Sequence, residues 1–527
     1  MTFSRRDVLR QSCALAALAP WASAVRAGGA RTVIATTRSG RIRGALDHGV
    51  HVFKGIPYGA DTSTRRFQPP LPAPAWKGVR PALQYGPACP QPGIAEPTSE
   101  DCLVLNVWTP ALGDDARRPV MVYFHGGEYS SGSGSSPLYD GVRLCRRGDV
   151  VVVTVNHRLN AFGHLYLGRL GGAVYRDSGN VGLLDLVLAL EWVRDHARVF
   201  GGDPDCVMVF GQSGGGAKIA TLMAMPAARG LFHRAATMSG QQVTAAGPRS
   251  STLRARNYLQ ALHIAPASLD RLNSVGVEEL VAATKAPDAT IAGRSLYFGP
   301  VLDQHSLPRH PFYPDAPAQS AHIPMIIGNT RDETIAFLGN EPGVRELTWE
   351  QLPERLLADL FVDIDPEYVI AEYRRLYPDY SPTDVFFAAT TAGRSWRGAL
   401  IELELRTAAA APTYAYQLDF RSPVEGGRYG AMHTMDIPLV FDNIAQPQSL
   451  TGTSEAAQKT ADLMSDAFIA FARSGDPNHA HLPSWQPYDL KRRPTMLFDA
   501  EAQAVDDPRG AERRLFAQVP YIQRGTY

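Results

Sequence analysis

Val207-Met208-Val209-Phe210-Gly211-Gln212-Ser213-Gly214-Gly215 is an apolar, β-branched run that breaks into glycines around one serine and passes into Ala217 to Ala224, a helix-compatible stretch. Near-continuous apolar residues suit a strand buried on both faces. The order strand, tight turn, helix therefore predicts a sharp elbow that holds a serine hydroxyl out at the top of a sheet, with glycines relieving the steric cost of the strained backbone. A bare Gly-x-Ser-x-Gly arises by chance in about a quarter of chains of this length and composition. The flanking strand and helix give it weight, and the sequence holds no second match.

Working outward, Val120-Met121-Val122-Tyr123-Phe124 and Val150 to Val155 are further β-branched runs, and Met325-Ile326-Ile327 and Thr413 to Leu418 read as strands. Between the second and the elbow strand lies Val181 to Phe200, whose polar residues Glu191, Arg194, Asp195 and Arg198 recur at i, i+3, i+4 and i+7, a helix with one wet face. Strands alternating with helices predict an α/β fold, a central, mostly parallel sheet flanked by helices. The stretch from about 244 to 320 loses this regularity and reads as a cap-like insertion over one end of the sheet. Ser454 to Arg473 reads as a long amphipathic helix stopped by Gly475. With no internal repeat and no low-complexity linker, residues 28–527 are expected to form one large domain.

The strand Val120 to Phe124 runs into His125-Gly126-Gly127-Glu128. Such a loop can aim main-chain N–H groups of Gly126, Gly127 and Glu128 at a developing oxyanion, with the N–H of Gly214 completing the hole. Glu128 brings a carboxylate near that charge and is expected to turn outward or to pair with a basic group.

These motifs, with Glu100-Asp101-Cys102-Leu103-Val104-Leu105-Asn106-Val107, Asn156-His157-Arg158-Leu159, Gly201-Gly202-Asp203-Pro204, Phe232-His233-Arg234-Ala235 before Ser239-Gly240, and Phe471 to Asn478, resemble the type-B carboxylesterases, which include cholinesterases and para-nitrobenzyl esterases. The resemblance spans nearly the whole chain and implies the α/β-hydrolase fold. It implies a Ser, Glu, His catalytic order. Ser213 takes the nucleophile's place, Glu333 in Gly328-Asn329-Thr330-Arg331-Asp332-Glu333 the acid's, and His433 in Gly430-Ala431-Met432-His433 the base's. Asp332 is the rival acid. The family commonly has Glu and Ala where Gln212 and Gly214 flank the serine, and often Gly or Ala at Glu128. What it implies is cleavage of a small-molecule carboxylic ester through an acyl-enzyme, with no metal or organic cofactor. The alternatives are carbamate or amide hydrolysis by the same triad, and a binding module that kept the fold without the chemistry.

Lys+Arg and Asp+Glu are equal at 52 each, which gives no basic footprint for nucleic acid, and no run of about 18 apolar residues is present to span a bilayer. Residues 1–27 read as an export signal. Ser4-Arg5-Arg6-Asp7-Val8-Leu9 resembles the twin-arginine motif, followed by the apolar stretch Cys13 to Ala19 and small residues at Ala24 and Ala27. A periplasmic or secreted location follows, and with it an oxidising environment. Cys89 and Cys102, flanking a short loop rich in Pro and Gly, are then expected to pair as a disulfide, which would restrict the unfolded chain by roughly 3 kcal/mol. Cys145 and Cys206 read as buried free thiols. Oligomeric state has no signature in the sequence.

Overall fold

A computed structural model describes residues 32–526 except residue 292. The proposed export signal, with Cys13, lies outside the described residues. The chain opens with an antiparallel edge, β1 (Thr32–Thr36), β2 (Arg41–Asp47) and β3 (Val50–Pro57), with β4 (Val79–Pro81) paired to β2. β5 (Val104–Thr109) follows, then β6 (Arg118–Phe124), β7 (Val151–Val155), β8 (Gly202–Gln212), β9 (Arg234–Met238), β10 (Met325–Thr330), β11 (Thr413–Leu418), β12 (Pro494–Phe498) and β13 (Gln503–Asp506). The sheet order is β1-β2-β3-β5-β7-β6-β8-β9-β10-β11-β12-β13. Every pairing from β7 to β12 is parallel, and the pairings outside this block are antiparallel apart from that of β2 with β4.

The central strands are buried on both faces, as their runs of Val, Met and Phe require. On one face the helix Val181–His196 packs with Leu183, Leu186 and Leu190 inward and continues as a 3₁₀ turn to Phe200. On the other lies Glu455–Ser474, capped by the Ser454 hydroxyl and stopped at Gly475, which adopts φ 83°. Both helices fall where the polar periodicity predicts. The insertion contains the helices Pro248–Ala261 and Val277–Ala283, and Arg254 of the first makes a buried ion pair with Asp288 in the segment after the second.

Two cysteine expectations are corrected. Cys89 and Cys102 are buried free thiols and not a disulfide. Cys89 Sγ accepts the Leu159 N–H at 3.2 Å, and the Cys102 thiol lies against it as a separate hydrogen-bonded neighbour, its proton held more tightly by that contact and by burial. Cys145 is buried, but Cys206 is half-exposed at the start of the apolar part of β8.

Candidate active site

β8 ends at Gln212, and Ser213 turns the chain at φ 56°, ψ −126° into the helix Gly214–Leu222. That backbone is costly for a residue with a side chain. Neighbours hold it in place: Ser213 N–H donates to Met238 O at 2.7 Å, and Ser213 O accepts from Ala217 N–H at 3.1 Å. The glycines allow main chain to pack on main chain. A methyl on Gly215 would stand 1.9 Å from Phe124 O, and one on Gly240 would stand 2.0 Å from Ser213 O.

Glu333 follows β10 and is fully buried; His433 follows β11 and is 5% exposed. Glu333 Oε2 pairs with His433 Nδ1, while Oε1 accepts from Thr330 N–H at 2.8 Å and Asn329 Nδ2 at 3.2 Å. Burial alone would raise this carboxyl's pKa. The His433 ring, Ser239 beside it and the Thr330 N–H outweigh burial and hold it below its ordinary value. Asp332 faces elsewhere. It brackets Ala431, accepting its N–H at 2.9 Å on Oδ2 and donating its own N–H to the Ala431 carbonyl at 2.9 Å, and so ties the histidine loop to the acid loop.

With Nδ1–H committed to Glu333, His433 Nε2 is an acceptor, and Gln212 Nε2 donates to it at 3.1 Å. A base that took a proton from Ser213 would need that lone pair, so the residue before Ser213 would compete for it. Phe337, half-exposed, lies against the His433 ring at 4.9 Å between centroids.

The loop after β6 lies directly on the elbow. A methyl on Gly126 would be 3.2 Å from Ser213 Cβ, and one on Gly214 would be 2.2 Å from Glu128 O. Gly127 and Glu128 take φ 84° and 53°. Behind them, Gln91 grips Gly132 with two hydrogen bonds, Asn160 Nδ2 donates to Ser130 O, and Asn156 Oδ1 accepts the Gly134 N–H. Glu128 is exposed and, among the described residues, has no basic group within ion-pair distance.

Sequence reasoning named Gln212 only as a departure and gave no role to two buried ionisable groups. Asp436, three residues after His433, is fully buried, accepts from Tyr416 OH at 2.8 Å, and is pushed up to about 7 by burial despite that bond. Lys218, on the helix that follows Ser213, is also fully buried. Its signal was a lone charge inside Ala217 to Ala224, a stretch otherwise apolar or small.

A sequence model of the Carboxylesterase family matches residues 31–516. The para-nitrobenzyl esterase of Bacillus subtilis (strain 168) is 35% identical over 501 residues, covering 91% of this chain and 98% of its own. The phenmedipham hydrolase of Pseudarthrobacter oxydans is 34% identical over 501 residues, covering 91% and 96%. Among solved structures, a Geobacillus stearothermophilus carboxylesterase superposes with a TM-score of 0.81 at 38% identity, over 92% of this chain and 99% of that one.

Proposed function

The chain belongs to the carboxylesterase family and is a carboxylic ester hydrolase, and from that premise we propose that it works through an acyl-enzyme on Ser213, with His433 and Glu333 completing the triad. The observation that carries this reading is the Glu333–His433 pair, buried together, with the other ring nitrogen 3.1 Å from Gln212, the residue before the elbow serine.

Ser213 Oγ attacks the ester carbonyl carbon while His433 Nε2 takes its proton, displacing the Gln212 amide from that lone pair. Glu333 keeps Nδ1–H in place and stabilises the imidazolium that forms. The N–H groups of Gly126, Gly127, Glu128 and Gly214 receive the oxyanion, each worth about 3 kcal/mol in the transition state. Collapse expels the alcohol, protonated by His433. A water activated by the same ring then releases the acid.

The test is turnover of short para-nitrophenyl esters by the full chain and by Ser213→Ala, with fluorophosphonate labelling mapped by peptide mass. Loss of turnover in the variant with the label on Ser213 is expected; turnover that survives the substitution refutes the assignment. We also propose, from the twin-arginine-like stretch Ser4 to Leu9, that the protein crosses a membrane by the twin-arginine route. Replacing Arg5 and Arg6 with Lys should retain a reporter fused after residue 27 inside the cell, and undiminished export would refute it.

A further inference from the structure

Lys218 lies one turn into the nucleophile's helix, 0% exposed, with its ammonium directly beneath the loop that follows β6. Its one hydrogen bond among the described residues goes from Nζ to His125 O at 3.0 Å. Around it stand the stacked rings of His125 and His157, the His164 ring and the face of Tyr129, 5.8 Å away. The Nε2 atoms of all three histidines have no hydrogen-bond partner among the described residues. A packing role explains this poorly. Burying an ammonium with a single hydrogen bond is costly, and a leucine or methionine would fill the space without that cost.

What the ammonium touches is the carbonyl half of the His125–Gly126 peptide. The other half of the same peptide is the Gly126 N–H, one of the groups assigned to the oxyanion. Drawing electron density onto the carbonyl oxygen strengthens that N–H as a donor, because linked hydrogen bonds polarise one another. The acidic group whose field reaches Lys218 is Glu128, two residues further along the loop. A carboxylate on this loop would oppose the oxyanion, and a buried cation beneath it offsets that field.

We propose that Lys218 is a positioning residue for ester hydrolysis, an ammonium that fixes and polarises the His125–Gly126 peptide of the oxyanion loop and offsets the Glu128 carboxylate. The inference rests on the reading of that loop given above. Within the cluster, burial and the Lys218 charge hold His125 and His164 down to about 3 and His157 well below its ordinary value, and burial pushes the Tyr129 hydroxyl well up. Burial brings Lys218 down to about 7, with Glu128 acting to raise it. Lys218 is therefore the buried group of the cluster that changes charge near neutral pH. It is an ammonium at lower pH and an amine at higher pH, and the field on the oxyanion disappears as pH rises.

The experiment measures kcat and KM for a neutral short-chain para-nitrophenyl ester from pH 5.5 to 9.5 in the wild type, Lys218→Met and Glu128→Gln. The wild type should lose kcat on its alkaline limb. Lys218→Met should lower kcat at pH 6.5 by about 10- to 100-fold, below the effect typical of deleting an oxyanion donor outright, with KM within about threefold and the alkaline limb abolished. Glu128→Gln alters an exposed side chain, so its folding is secure even where Lys218→Met fails to fold. Removing that carboxylate disfavours the ammonium and should move the alkaline limb to lower pH. A limb that survives in Lys218→Met, or that stays in place or moves up in Glu128→Gln, overturns the proposal. Fluorophosphonate labelling of Ser213 in the wild type separates this outcome from failure of the triad reading, which would leave Ser213 unlabelled.

Discussion

Gly214→Ala adds the methyl that the family commonly carries here to a chain whose Glu128 backbone stands where that methyl would go, and so tests the contact between the elbow and the oxyanion loop. Gly214 is the first residue of its helix and does not occupy the left-handed region, so alanine brings no backbone strain and a better helix propensity by about 1 kcal/mol. Its Cβ would nonetheless stand 2.2 Å from Glu128 O, 2.4 Å from its Cα and 2.6 Å from its carbonyl carbon. The elbow cannot retreat, because Gly215 and Gly240 are already packed against Phe124 O and Ser213 O. The loop must therefore move outward by about 1 Å to restore ordinary contact. A displacement of that size at a catalytic group costs on the order of 100-fold, or about 2.7 kcal/mol of barrier. Overpacking costs about 1–3 kcal/mol of stability, too little to unfold a domain with so large a core. The assay is kcat and KM on short para-nitrophenyl esters, with active sites counted by fluorophosphonate titration and folding checked by thermal unfolding. A drop in kcat of about two decades with full site occupancy is expected. A kcat within threefold of the wild type would show that the Glu128 backbone does not stand where the structure puts it, or takes no part in the hole.

Three further outcomes follow from the same geometry. Glu333→Gln sets an amide against either the Thr330 N–H or the His433 Nδ1–H, and kcat should fall about 10³- to 10⁴-fold with KM little changed, measured by steady-state kinetics. Gln212→Glu places a carboxylate where an amide now meets His433 Nε2 at 3.1 Å; it favours the imidazolium, so the acid limb of kcat/KM should move to higher pH by about one unit, and an unmoved limb would contradict the contact. Asp436 is raised to about 7 by burial. Its folded-state proton affinity exceeds the unfolded one, so it destabilises progressively as pH rises from about 4 to 7, by up to about 4 kcal/mol. Asp436→Asn keeps an acceptor for Tyr416 OH, and its gain in denaturation midpoint over the wild type should be absent near pH 4 and largest above pH 7.

The features readable in the sequence are local ones. The elbow is encoded within nine residues, from Val207 to Gly215, and the stop at Gly475 is a single residue in the left-handed region. Contacts made by distant segments left no such mark. Gln212 meets a histidine 221 positions away. Lys218 looks like a surface charge on a short helix until Gly215 brings that helix against Phe124 O and shuts the side chain in. The Cys89–Cys102 expectation came from spacing along a loop, whereas the state of the thiols depends on where Leu159 delivers its N–H.

The order of strands explains why segments spread over more than 200 residues meet at one edge of the sheet. β8, β9, β10 and β11 are consecutive neighbours, all parallel. Their carboxyl ends therefore open along one edge of the sheet. Ser213 leaves β8, Ser239 leaves β9, Glu333 follows β10 and His433 lies in the loop beyond β11. Helices cover both faces, so polar side chains emerging there have only one another and the crevice above the strand ends to meet. The insertion and the loops around this crevice can vary without disturbing that convergence. The oxyanion loop joins it from the next strand over, because β6 pairs with β8 in register as far as Phe124 and Gly211, which sets His125 beside Gln212. Any substitution that shifts this register would separate the loop from the elbow while leaving the Glu333–His433 pair, built on β10 and β11, intact.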